Sequence, residues 1–196
     1  MRRLTPLAVT LAVLAGQAAC VGADRPSAPT APSLAKSRAS SRAKGTGGLN
    51  RLVSMMDACD PTTFNAALND PTACVRDGGV SFQKFIAQLE KHHRVGAWHF
   101  APPRLNVTEG TTLTAINRGG EVHTFTEVEE FGGGIVPVLN ELSGNPTPAP
   151  ECLALEPDDF VPPGATYTDE EDEAGVELYQ CCIHPWMRTT VHIREH

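Results

Sequence analysis

From Val95 to the C-terminus the chain is cut into short stretches of alternating apolar and polar residues, and this texture limits the fold more than any other feature. The stretches are Trp98-His99-Phe100, Arg104 to Thr108, Thr111 to Asn117, Glu121 to Val128, Val176 to Cys182 and Thr189 to Arg194. Between them stand Pro102-Pro103, Glu109-Gly110, Gly119-Gly120 and Pro162-Pro163-Gly164. A period of two sends successive side chains to opposite faces, so each stretch reads as a strand, and Gly and Pro break the run between strands. Several short strands in this arrangement predict a mostly β, two-sheet sandwich. A longer excursion spans Phe131 to Pro150 and is Gly-rich at first. Within it Ile135, Val136, Val138, Leu139 and Leu142 suit a short helix, limited by Pro137.

The preceding residues, 49–94, read instead as a helical segment packed on the sandwich. Ser81 can cap a helix whose Phe82, Phe85, Ile86 and Leu89 share one apolar face. Asp60-Pro61 marks another start, with Pro61 at the first helical position and Phe64 and Leu68 on one side. Residues 24–48 are rich in Ala, Ser, Pro and Thr without a hydrophobic pattern, and they read as a flexible tether. Residues 1–23 have the form of an export signal: Arg2-Arg3, an apolar run from Leu4 to Ala15, then small residues. The run is too short to cross a bilayer, which takes about 20 residues. Cleavage suits Ala18 or Ala23, and Cys20 offers a lipid anchor, although Gln17 stands where a lipoprotein signal prefers an aliphatic residue. The expected location is therefore outside the cytoplasm, in the periplasm, the cell envelope or the medium.

The chemistry concentrates in Tyr179-Gln180-Cys181-Cys182-Ile183-His184-Pro185-Trp186-Met187. A thiolate, an imidazole and a thioether lie close together there, between two expected strands. His123, on an earlier strand, supplies a second imidazole. Two His, one Cys and a weak axial Met is the donor set of a type 1 copper site: the thiolate suits Cu(I), imidazole serves both oxidation states, and the thioether tunes the potential. Strand alternation puts Tyr179 and Cys181 on one face and Gln180 and Cys182 on the other. Glu127, Glu129 and Glu130 follow His123 closely and are alternative axial donors. His92, His93, His99, His192 and His196 read as solvated or structural.

These residues resemble the cupredoxin family, with an amicyanin- and plastocyanin-like ligand loop. The resemblance is carried by Cys181-x2-His184-Pro185-x-Met187, the preceding Tyr-x-Cys, and the closing strand Thr190-Val191-His192-Ile193. Trp98-His99-Phe100, the segment from Leu105 to Thr114 and Asn117 resemble its early strands, so the similarity covers residues 95–196. It implies a cupredoxin-like Greek-key sandwich holding one copper ion with His123, Cys181, His184 and Met187. Its spacing fits Cys181 and not Cys182 as the ligand. It further implies a one-electron carrier whose exposed His184 edge is the electron port, with Pro185 and Trp186 as a contact patch. Thr124 departs from the family, where many members carry an Asn that helps fix the ligand loop. Two other functions share the donors: a mononuclear copper enzyme or small-molecule sensor with an open position, and a copper carrier or storage protein.

Six cysteines in an exported chain imply disulfides. With Cys20 lipidated or removed and Cys181 on the metal, four remain, and four allow three pairings. The expected pairs are Cys59–Cys74, a local staple, and Cys152–Cys182, tying the excursion to the ligand strand. From residue 49 onward there are nine basic and 22 acidic residues, a net charge of −13 with His neutral. Such a surface excludes nucleic acid as a partner, since phosphates demand basic contacts. It suits a basic redox partner instead. The run from Asp169 to Glu173 is expected as the turn before the ligand strand, at its far end from Cys181.

Overall fold

A computed structural model describes residues 49–196; the export segment, Cys20 and the tether lie outside them. The chain forms β1 (Asn50–Met56), α1 (Pro61–Leu68), α2 (Phe82–His92), β2 (His99–Ala101), β3 (Arg104–Thr108), β4 (Thr111–Asn117), β5 (His123–Thr124) and β6 (Thr126–Val128). Then follow α3 (Pro137–Leu142), β7 (Phe160–Val161), β8 (Thr166–Glu171), β9 (Gly175–Gln180) and β10 (Arg188–Arg194). One sheet is ordered β2-β1-β4-β8 and the other β3-β10-β9-β6, while β5 and β7 make a separate pair. Neighbours are mostly not consecutive in the chain, as Greek-key connections require. The pairs β1–β4 and β3–β10 are parallel and the rest antiparallel.

The core follows from the alternation. In β4 every second residue from Thr111 to Asn117 is buried, and β10 buries Thr189, Val191 and Ile193. Val53, Met55, Phe100, Leu113 and Ala115 from one sheet join one core with Leu105, Val107, Tyr179 and Val191 from the other. The mostly β, two-sheet sandwich is thus the architecture present.

Both expected helices form, and for the expected reasons. Asp60 caps α1 by accepting from the Thr62 amide at 3.1 Å, with Pro61 in its first turn. Ser81 caps α2, which buries Phe85 and Leu89. The helical reading of residues 49–94 needs correction at its start, because Asn50–Met56 is a strand between β2 and β4. Its inward residues, Val53 and Met55, alternate only over its last half, whereas Leu52 is exposed. So the sheet, rather than a local pattern, determines that conformation.

Two further expectations change. The acidic run is strand as far as Glu171, and only Asp172 to Ala174 remains for the turn. Glu121 to Val128 is not one strand: β5 pairs with β7 and β6 with β9, and Phe125 between them stacks on Tyr179 at 4.4 Å. Both disulfides form as expected, Cys59–Cys74 and Cys152–Cys182. In the chain-entropy model the loop closed by the first is worth about 3 kcal/mol. Among the described residues no helix is long and apolar enough to cross a membrane.

Candidate metal centre

β9 leaves its ladder after Gln180, and the next seven residues loop back into β10. The loop is closed by its own backbone: the Cys181 amide donates to the Met187 carbonyl at 3.0 Å, and the Met187 amide to that of His184 at 2.9 Å. Cys181 is a free, fully buried thiol, whereas its neighbour Cys182 is taken by Cys152.

Across from the loop, β5 presents His123 and Thr124. The Thr124 amide donates to Cys181 Sγ at 3.5 Å, and Thr124 Oγ1 accepts from the Cys182 amide at 2.8 Å. Thr124 therefore fastens the loop to β5. The His184 amide also donates to Cys181 Sγ, at 3.5 Å.

The Nδ1 atoms of His123 and His184 lie 3.8 and 3.9 Å from Cys181 Sγ, and the three donor atoms are all within 4.8 Å of one another. A first-row ion bonded at about 2.3 Å to sulfur and about 2.0 Å to nitrogen, at an angle of about 120°, would set these atoms about 3.7 Å apart. The side chains fit such an ion as they stand. Burial opposes ionisation of the Cys181 thiol, but hydrogen bonds and charge from His123 and His184 outweigh it and hold the thiol well below its usual range. Met187 is fully buried at the end of the same loop. Glu127, Glu129 and Glu130 are all exposed.

Each imidazole has a carboxylate behind it. His123 Nε2 is 2.9 Å from Asp57 Oδ2, with both side chains fully buried. Burial pulls the His123 ring down, yet its hydrogen bonds to Asp57 and Cys181 raise it to about 9. Burial likewise pushes Asp57 up, and the hydrogen bonds from His123 and the amides of residues 120 and 121 bring it down to about 2. Behind His184, Glu121 Oε2 lies 3.7 Å from Nε2 and accepts from Trp98 Nε1 at 2.5 Å. Burial raises the Glu121 carboxyl against the opposing charge of His184.

Asp57 and Glu121 escape a reading of the sequence. Asp57 belongs to no motif and is 66 residues from the imidazole it touches. The one available signal is Gly119-Gly120 after Asn117. A Cβ on Gly119 would lie 1.8 Å from Asp57 Oδ2, and one on Gly120 2.7 Å from Cys59 Sγ. Asn117 holds this turn, donating to the carbonyls of Glu121 and Val161 and accepting from the Gly119 amide.

The expected exposed edge of His184 is corrected: the residue is 3% exposed. Its ring lies 5.5 Å from Trp186, 6.2 Å from Phe85 and 6.5 Å from Trp98. The α2 residue Phe85 belongs to an aromatic cluster with Phe64 and Trp98 that lids this side of the site. Pro185 is buried too, so Trp186, half-buried, is what remains of the expected apolar patch. Of the other histidines, His92, His93 and His99 are exposed and His192 is half-buried on β10. His93 closes α2 with a left-handed backbone, φ 56°, and its Nδ1 lies 2.8 Å from the Leu142 carbonyl.

No protein-family model matches the sequence, and no curated protein does. Among solved structures the chain is similar to a purple cupredoxin from Nitrosopumilus maritimus, at 23% identity over 51% of this chain and 86% of the other, with a TM-score of 0.37. It is similar as well to a methionine-to-alanine variant of amicyanin in its Cu(I) form, at 24% identity over 49% of this chain and 73% of that one, TM-score 0.33. A reduced tryptophan-to-tyrosine variant of amicyanin matches at 24% identity over 52% and 78% of the two chains, also with a TM-score of 0.33.

Proposed function

We propose that this chain holds one copper ion with His123, Cys181, His184 and an axial Met187, and that it serves as a one-electron carrier. The observation that carries the reading is the convergence of two imidazole Nδ1 atoms on one buried, acidified thiol. A bound copper ion would supply a reversible one-electron couple.

The protein's part is to keep the donors where both oxidation states can use them. Thr124 and the His184 amide fix the sulfur, and the loop's own backbone bonds fix the spacing of Cys181, His184 and Met187. Rigid donors limit the reorganisation that accompanies electron transfer. Burial of all four residues leaves little room for substrate, which favours a carrier over an enzyme or a sensor with an open position. Exposed Met- and His-rich tracts, which a copper carrier or storage protein would use, are lacking among the four Met and seven His of the chain.

With the His184 ring covered, the half-buried Trp186 is the aromatic group through which a partner would approach it. The net negative charge suits a basic partner, and the two disulfides suit an oxidising compartment outside the cytoplasm. Redox titration of copper-loaded Met187→Leu tests the axial role. The thiolate-to-copper band should persist while the potential rises, because a donor that favours Cu(II) is lost. An unchanged potential would remove Met187 from the ligand set.

A further inference from the structure

We propose that Asp57 and Glu121 are positioning residues for the two imidazole ligands, and that Asp57, as an anion one ring away from the metal, biases the site towards its oxidised state and so lowers its reduction potential. This rests on the copper reading of His123, Cys181 and His184.

Both ligand rings turn Nδ1 towards Cys181 and Nε2 outward. With Nδ1 committed to a metal, Nε2 carries the proton and donates it, to Asp57 Oδ2 in the case of His123. Asp57 is built for the task. Its two oxygens also accept from the amides of Gly120 at 2.9 Å, Glu121 at 3.0 Å and Cys59 at 3.2 Å, so four N–H groups converge on one buried carboxylate. Such a convergence favours the charged form and locks its orientation. The residues that allow it have no side chain in the way: Gly119 sits where any Cβ would overlap Asp57 Oδ2. The Cys59–Cys74 disulfide ties down the chain two residues beyond Asp57. Glu121 is oriented by Trp98 Nε1 and stands at 3.7 Å from His184 Nε2, a charge contact longer than a hydrogen bond.

Two effects follow, with the same sign. An acceptor on the outer nitrogen makes an imidazole a stronger donor to the metal. A buried negative charge also opposes the arrival of an electron, and low local dielectric preserves that opposition. Each favours Cu(II) over Cu(I). A merely structural Asp57, collecting the amides of the 119–121 turn, would leave the ratio of the two affinities alone.

The test is redox titration of the copper-loaded full chain as wild type, Asp57→Asn and Glu121→Gln, with circular dichroism and the visible spectrum as checks on fold and site. Asparagine keeps an acceptor of the same shape and loses the charge. Asp57→Asn is expected to weaken Cu(II) binding by 10- to 100-fold, the range for lost outer partners. Cu(I) binding should weaken less, and the potential should rise by about 59 mV for each tenfold change in the affinity ratio. Glu121→Gln should raise it by less, in keeping with the longer contact. An Asp57→Asn protein that folds, keeps its band and keeps the wild-type potential would overturn the proposal. If Asp57→Asn does not fold, Asp57→Ser decides, since it keeps a hydroxyl acceptor without the charge, and an unchanged potential there is equally fatal. Failure of the wild type to develop a thiolate-to-copper band is a different outcome, and it would defeat the copper reading itself.

Discussion

Thr124 shows how much of a loop a single residue can hold. Its amide reaches Cys181 Sγ while its hydroxyl accepts from the Cys182 amide and from Thr126 Oγ1 at 3.0 Å. Thr124→Val keeps shape and amide but strands two buried donors, which costs about 1–3 kcal/mol for each group left unpaired. Denaturant unfolding of the copper-loaded protein should show that loss, and an unaltered midpoint would mean that the loop is held elsewhere. At this scale the loop that carries Cys181, His184 and Met187 between two strands is legible because the three lie within seven residues and their spacing is itself the signal. Asp57 was not legible, since its partner is distant and an isolated acid carries no pattern. Burial of His184 was equally hidden: nothing in the loop announces that Phe85 of α2 will cover its last imidazole.

Among the elements, β8 is the instructive case. Asp and Glu are depleted in strands, so Asp169 to Glu173 reads as a turn, yet pairing with β4 carries the strand through Glu171. The inward residues of that strand meet β9 at the Tyr179 hydroxyl, which lies 3.2 Å from Asp169, 3.3 Å from Glu171 and 2.7 Å from Glu177. Glu171 is fully buried there. Burial first, and then the neighbouring carboxylates Glu177 and Asp169, push it up to about 9 from an ordinary 4.5. Between those two values the folded state holds a proton that the unfolded state has released. Stability contributed by this proton is complete below about pH 4.5 and is lost as pH rises through about 9. Unfolding free energy should therefore decline across that window, and Glu171→Gln should flatten the decline; a wild-type profile in the variant would move the pH dependence to other groups. β1 is hidden in the sequence for the opposite reason. Its alternation is incomplete, and its parallel pairing with β4 reaches across more than sixty residues to Thr112 and its neighbours.

At the scale of the whole molecule, the sandwich brings the ends of β5 and β9 together, and the α1–α2 segment adds a lid of aromatic rings over one side of the site. Burying rings such as Phe85 and Trp98 supplies about 1.5–3 kcal/mol each. The lid leaves Trp186 as the half-exposed neighbour of His184. Long-range charge then matters for encounter. Ten acids and no Lys or Arg lie between Glu151 and Gln180. With a cationic redox protein the bimolecular rate is expected to fall as ionic strength rises, and neutralising the exposed Glu170, Asp172 and Glu173 should flatten that dependence. A rate indifferent to salt would leave these acids as a solvated face.

The central claim is that His123, Cys181 and His184 converge in order to hold copper through a thiolate, and the visible spectrum of the copper-loaded protein tests it most directly. The wild type is expected to show an intense thiolate-to-copper band that vanishes in Cys181→Ser and persists when the Cys152–Cys182 disulfide is left intact. A wild type without that band, or a Cys181→Ser protein that retains it in full, would contradict the assignment.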